Sequence, residues 1–234
     1  MKQTNEWLMN DELYRLYQTR LTDFERVILQ FSGTDLAGPL LMSPNATYGE
    51  QENPLLIVGQ ETKGWGYLQG HDIRKQMVVY EEFNLGDGYY SSPFWNVTRK
   101  VERALGAVPY SCAWTNLSKF DVDGGRSYGE QEQLIATVDD LLVAEVNILK
   151  PKVCLFFTGP DFDSRIQRIF AGITYQSVPD WPIREMALLK HPDLPAYTFR
   201  TYHPNYLRRS GLEPGFIEFI SGLPFSADVP PSIL

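Results

Sequence analysis

The chain has 234 residues, of which 43% are hydrophobic and 13% aromatic, enough for one domain with a large core. A formal net charge of −8 and a pI near 4.9 exclude coating of nucleic acid by bulk electrostatics, which needs basic surface to displace counterions. Apolar runs are strand-length, short of the roughly 18 residues of a membrane span, and the first residues lack the basic-then-apolar order of a signal peptide. A cytoplasmic protein with no membrane contact is therefore expected.

In residues 11–31, Leu13, Leu16, Tyr17, Leu21, Phe24, Val27, Ile28 and Phe31 recur at spacings of three and four, which predicts one amphipathic helix. Residues 33–52 are rich in Gly, Pro, Ser and Asn and read as a loop. Residues 1–52 thus form a helix and loop packed on the core. The run Leu55, Leu56, Ile57 and Val58 is too short for a typical helix and reads as a strand buried on both faces, the parallel-sheet pattern. It stops at Gly59, and Gln60, Glu61, Thr62 and Lys63 follow at the carboxyl end, where open α/β sheets keep their ligand sites.

Gly64, Gly66 and Gly70 make a loop holding Trp65 and Tyr67, followed by a helix over 71–83 and a second loop through Tyr89, Tyr90, Ser91 and Ser92. Pro93 then stands where a helix start tolerates it, ahead of a helix over 94–105. A strand over 112–116 presents Asn116, Ser118 and Lys119; residues 122–128 read as a surface loop, and 129–150 as one long helix stopped by Pro151. Another buried strand covers 153–157, and Asp161 or Asp163 caps the next helix. A short strand, a turn and an extended piece are expected within 173–189. The last strand, 197–202, delivers His203, Pro204, Asn205, Tyr206, Leu207, Arg208 and Arg209; a helix over 214–221 and a Pro-rich tail, 223–234, close the chain.

Strands separated by helices imply crossover connections. The expected fold is α/β, a three-layer α/β/α sandwich on a central, mainly parallel sheet of about four strands, with residues 53–222 as its domain. Three strand ends carry polar groups, Gln60 with Glu61, Asn116 and His203, and a parallel sheet brings them to one edge. Glu61 there can position or deprotonate a water, Asn116 can read a donor–acceptor edge, and His203 can donate to an oxygen gaining negative charge. Each has a plainer structural explanation: Glu61 as a cap or the ion-pair partner of Lys63, Asn116 as a turn residue, His203 as a satisfied structural histidine.

Other chemistries lack their signatures. There is no phosphate-binding glycine loop, dinucleotide fingerprint or nucleophile elbow. The two cysteines fall in predicted buried strands and are too few for a four-cysteine metal or iron–sulfur site, and the three histidines show no paired spacing, so neither metal nor cofactor is expected. Arg99, Lys100 and Arg103, or Arg208 and Arg209, are the local basic clusters that DNA could use; otherwise they are solvated faces.

The segment Gly59, Gln60, Glu61, Thr62, Lys63 resembles the first motif of the uracil-DNA glycosylase superfamily, a strand followed by Gly-Gln-Asp-Pro-Tyr, with Glu61 at the place of the water-activating aspartate. His203 to Arg208 is similar to its second motif, His-Pro-Ser-Pro-Leu-Ser. Ser92, Pro93, Phe94, Trp95 and Asn96 resemble the segment before its second helix, and Trp114 to Leu117 the strand whose asparagine reads the base. The resemblance spans about residues 53–211 and implies a DNA-repair hydrolase that flips a base and cleaves its N-glycosidic bond; a monomer is the expectation, although the sequence does not give the oligomeric state. It implies Glu61 and His203 as catalytic, Gln60, Asn116, Trp65 and Tyr67 at the base, and Leu207, Arg208 and Pro93 on DNA, Leu207 as the wedge. Trp65, Tyr67 and Tyr90 are the candidates to stack on the flipped base. Thr62 and Lys63 replace the family's Pro-Tyr, whose tyrosine blocks the thymine methyl in the best-known branch, which leaves base selectivity open. A non-catalytic base or partner binder and a hydrolase of small nucleosides stay open as alternatives.

Overall fold

The computed structural model describes residues 5–31, 33–89 and 91–225. Tyr90 and residues 226–234 of the expected tail lie outside the described residues. In chain order the elements are α1 (Asn5–Thr19), α2 (Leu21–Gln30), β1 (Leu36–Ala37), β2 (Leu55–Gly59), α3 (Ile73–Phe83), α4 (Pro93–Ala104), β3 (Ala113–Asn116) and β4 (Asp121–Val122). There follow α5 (Glu130–Ile135), α6 (Leu141–Leu149), β5 (Val153–Phe156), α7 (Asp163–Ile169), β6 (Thr174–Ser177), β7 (Met186–Lys190), β8 (Tyr197–Thr201), α8 (Pro204–Arg209) and α9 (Glu213–Ser221).

The main sheet has six strands in the order β3-β2-β5-β8-β7-β6, where about four were expected. The four strands expected to end in or beside the site, β3, β2, β5 and β8, pair in parallel, while β7 and β6 continue the sheet antiparallel. β6 and β7 are the short strand and extended piece expected within 173–189, which the count of about four left out; β6 is an edge strand, with Thr174, Gln176 and Ser177 exposed. The parallel strands are buried along their whole length, so both faces of the sheet are covered. Leu56, Ile57, Val58, Leu155 and Phe199 are fully buried, each side chain stabilising by about 1.5–3 kcal/mol.

The expected single helix over 11–31 is two, α1 and α2, interrupted at Arg20. Arg20 binds Asp23 and, across the fold, Asp140, and the spacing Tyr17, Leu21, Phe24 runs on across the break, which hides it from periodicity. Residues 129–150 break likewise, into α5, a 3₁₀ turn over Ala136–Val138 and α6; Asp139 and Asp140 stand at that break, bound to Arg165 and Arg20. Leu13, Tyr17, Phe24 and Val27 join the same core as the sheet strands. A small second sheet, unseen in the sequence, pairs β1 with β4 antiparallel, Ala37 opposite Asp121. Helices α4, α8 and α9 pack together, and α1 packs on α3 and α6. Among the described residues no helix is long and apolar enough to cross a membrane.

Candidate functional site

The sheet register brings the expected strand ends together. Gly59 pairs with Asn116 between β2 and β3, Val58 with Phe156 between β2 and β5, and Phe156 with Arg200 between β5 and β8. The chain beyond each strand therefore opens on one edge, and a cavity of about 760 Å³ lies there, lined by Gln60, Glu61, Trp65, Asn116 and His203. Phe83, Tyr89, Phe94, Trp95 and Trp114 complete an aromatic wall. Only partly polar walls of this kind suit a flat ligand held by a few fixed hydrogen bonds.

Glu61 has no hydrogen bond or ion pair among the described residues, and the plainer partner, Lys63, is exposed and forms no ion pair with it. Burial pushes its carboxyl up to about 7; the positive charges of Arg126 and Arg165 oppose that rise, and Asp121 adds to it. A carboxyl near half-ionisation at neutral pH is suited to proton transfer.

Asn116 is buried, and its Oδ1 accepts the Trp114 Nε1–H at 3.2 Å. An indole nitrogen only donates, so this bond sets the amide's orientation and leaves Nδ2 without a partner. Asn116 thus keeps an unpaired donor, Nδ2, at the cavity it lines, with one lone pair of Oδ1 taken by the indole. Gly59 makes room for it: a Cβ there would stand 2.3 Å from Asn116 Oδ1.

His203 caps α8, its Nδ1 accepting the Asn205 N–H at 3.2 Å. Burial lowers its pKa, so the ring is neutral at pH 7, and with Nδ1 accepting, the proton sits on Nε2. The ring packs 5.6 Å from that of Phe94. Gln60 donates Nε2 to the Thr158 carbonyl at 2.7 Å, tying the end of β2 to that of β5 and leaving its Oε1 for a ligand.

Trp65 stands edge-on to Phe83 at 5.2 Å and to Trp114 at 5.4 Å, its indole N–H buried without a partner. Tyr67, expected at the base, does not line the cavity; it is exposed and donates its hydroxyl to Asp35 at 2.6 Å, since the bridge of Tyr67 to Gly38 ties that segment to the small sheet. Leu207, expected as the wedge, is 0% exposed. Pro204 and Leu207, three apart on α8, both face the core, which leaves Tyr206 and Arg208 outside. Pro93 opens α4 without lining the cavity, although Ser92 and Phe94 on either side do. Arg208 is exposed and pairs with Glu213 at 3.5 Å.

Sequence reasoning missed Asp121. Buried on β4, it takes the Thr62 hydroxyl, the Gly64 N–H at 3.1 Å and the Trp65 N–H at 3.4 Å, and so fixes the turn after Glu61. The hydroxyl of Thr62, standing where the resembled family has proline, was the one available signal. Two of the three cations of the cluster on α4 are taken up internally, Arg99 lying 4.1 Å over the Tyr110 ring with Nε 2.9 Å from Glu102 and Lys100 pairing with Glu213, while Arg103 is exposed. Among the described residues no group of three or more His, Cys, Asp or Glu could hold a metal ion.

Comparison with known protein families and with curated proteins returns no match for this chain.

Proposed function

We propose that the chain is a hydrolase of N-glycosidic bonds in DNA, a uracil-DNA-glycosylase-like domain arranged as a three-layer α/β/α sandwich and working in the cytoplasm on a base flipped into the cavity. The observation that carries this reading is Glu61, a half-buried carboxylate with no hydrogen-bond or ion-pair partner among the described residues, opening on one cavity with the unpaired Nδ2 of Asn116 and the neutral imidazole of His203.

The chemistry follows from those groups. A base must leave the stack to enter, and the aromatic wall receives its face. Asn116 Nδ2 and His203 Nε2–H are both donors, so they favour a base edge that presents carbonyl oxygens, while Gln60 Oε1, left open by its bond to Thr158, is an acceptor for a base N–H. As the C1′–N bond breaks, the base departs with the electron pair, and the His203 donor stabilises the charge growing on its oxygen. The ionised Glu61 stabilises the cation-like sugar and takes a proton from the attacking water, whose hydroxyl ends on C1′; the departing base gains a proton, and an abasic site remains.

The test is incubation with uracil-containing single- and double-stranded DNA and with mismatched or modified bases; absence of abasic product from all of them refutes the activity. A second reading, hydrolysis of small nucleosides, is favoured by one observation: Glu213 holds both Lys100 and Arg208, which withdraws two of the cations expected to meet phosphate. Turnover of free nucleosides that is insensitive to salt would select that reading, because phosphate contacts make DNA binding steeply salt-dependent.

A further inference from the structure

Leu207 is buried, but the side chain before it is not. Tyr206 is 50% exposed, and its ring lies 4.2 Å from that of Tyr202 at an interplanar angle of 38°. The pair is fixed to the cavity: Tyr202 directly precedes His203, whose carbonyl accepts the Tyr206 N–H at 2.8 Å. Half-buried Tyr202 backs the Tyr206 ring from one side and leaves the rest of it open. Beside it Arg209 is exposed and makes no ion pair among the described residues.

We infer that Tyr206 is a stacking platform for a nucleobase neighbouring the target, and that the strand this chain takes is single-stranded DNA. The inference rests on the glycosylase reading for the identity of the flipped base, but the platform itself is read from the two rings. A wedge must be slim enough to replace a base inside a duplex. A tyrosine braced on a second ring instead offers a flat face, and every base has a π-face to lay on it. Charge points the same way. With a net charge of −8 and Arg208 held by Glu213, few phosphate contacts are available, so affinity must come from a source that does not depend on counterion release. Stacking is such a source, and a single strand also spares the energy of unpairing the target.

The experiment measures binding of a short fluorescein-labelled strand, with and without one uracil, and of the matching duplex, to Glu61→Gln protein so that no turnover intervenes. The single strand should bind about tenfold tighter than the duplex, Tyr206→Ala should weaken it about tenfold, and Tyr206→Phe should stay within about twofold. The dependence on Tyr206 should persist in the strand lacking uracil, with a shallow response to salt. Binding by Tyr206→Ala equal to that of its parent, or a duplex bound more tightly, overturns the platform. If Tyr206→Ala binds normally while the unmodified protein still makes abasic sites, only the platform fails. If single strands bind through Tyr206 but no DNA is ever cleaved, only the glycosylase reading fails. No binding to any strand overturns the platform as well.

Discussion

Glu61 and Glu145 are both drawn out of water, and the fold treats them in opposite ways. Glu145, on α6, is 0% exposed and accepts from Tyr17 at 2.9 Å, Lys119 at 2.6 Å and Thr115 at 3.1 Å; Lys119 also donates to Thr115. Every strong donor near that carboxylate is matched to it, which is how a buried ion pair holds geometry. Glu61 has none of this. Its desolvation is offset only in part, by the charges of Arg126 and Arg165, so its ionised form costs folding stability. The two regions meet at one residue, because Thr115 and Lys119 bracket Asn116. The satisfied cluster therefore flanks the Asn116 donor, which lines the same cavity as Glu61.

The comparison breaks most visibly by exchanging the fates of the two glutamates. Glu61→Gln should lower cleavage by about 10²–10⁴, the range of a lost general base, with no loss of melting temperature. Glu145→Ala should do the reverse in character. It leaves Lys119 buried and uncompensated, and should cost about 3–5 kcal/mol in urea unfolding. If Glu61→Gln unfolds the protein while Glu145→Ala is neutral, the assignment of roles is wrong.

His203→Ala removes a single donor to the departing base and should lower kcat by about 10²–10³, read in single-turnover cleavage. A smaller effect sharpens the part played by Asn116. Gly59→Ala puts a Cβ 2.3 Å from Asn116 Oδ1, so the amide must move. The expected loss is on the order of 10²-fold in cleavage, the scale of a misplacement near 1 Å, with the fold retained by circular dichroism.

The smallest effect is on pH. Cleavage should rise as Glu61 ionises, through about pH 7. Stability runs the other way. The folded-state pKa lies above the usual 4.5, so the folded protein binds this proton more tightly than the unfolded chain, and the advantage is lost as pH rises through about 7. Glu61→Gln lacks that loss. Its melting temperature relative to the parent should therefore climb between pH 5 and pH 8, whereas a flat difference would mean that Glu61 is not desolvated.

The part of the site that was legible in the sequence follows from one pattern. The run from Leu55 to Val58 and those leading to Asn116 and His203 are buried strands, and parallel strands end on a common edge, so Glu61, Asn116 and His203 were placed together by topology alone. What stayed hidden depends on docking. Whether Leu207 or Tyr206 faces outward is decided by how the six residues of α8 seat on the core, too short a helix for periodicity to orient. Tyr67 was drawn away by a bridge to Gly38, and the Asn116 amide was oriented by the Trp114 indole, both long-range or side-chain contacts without a local signature. Asp121 lay on a two-residue strand, β4, below any repeat. The sheet was undercounted because the extended pieces expected within 173–189 gave no sign of joining it, which they do by antiparallel pairing of β6 on β7 and β7 on β8.

The central claim is that Glu61 is kept without a partner because it acts on a glycosidic bond. The most direct measurement is strand scission at abasic sites after incubating uracil-containing DNA with the unmodified protein and with Glu61→Gln at pH 8. The account predicts abasic product from the first and about 10²–10⁴-fold less from the second at equal folded concentration. Equal product from both, or none from either on any base tested, would contradict it.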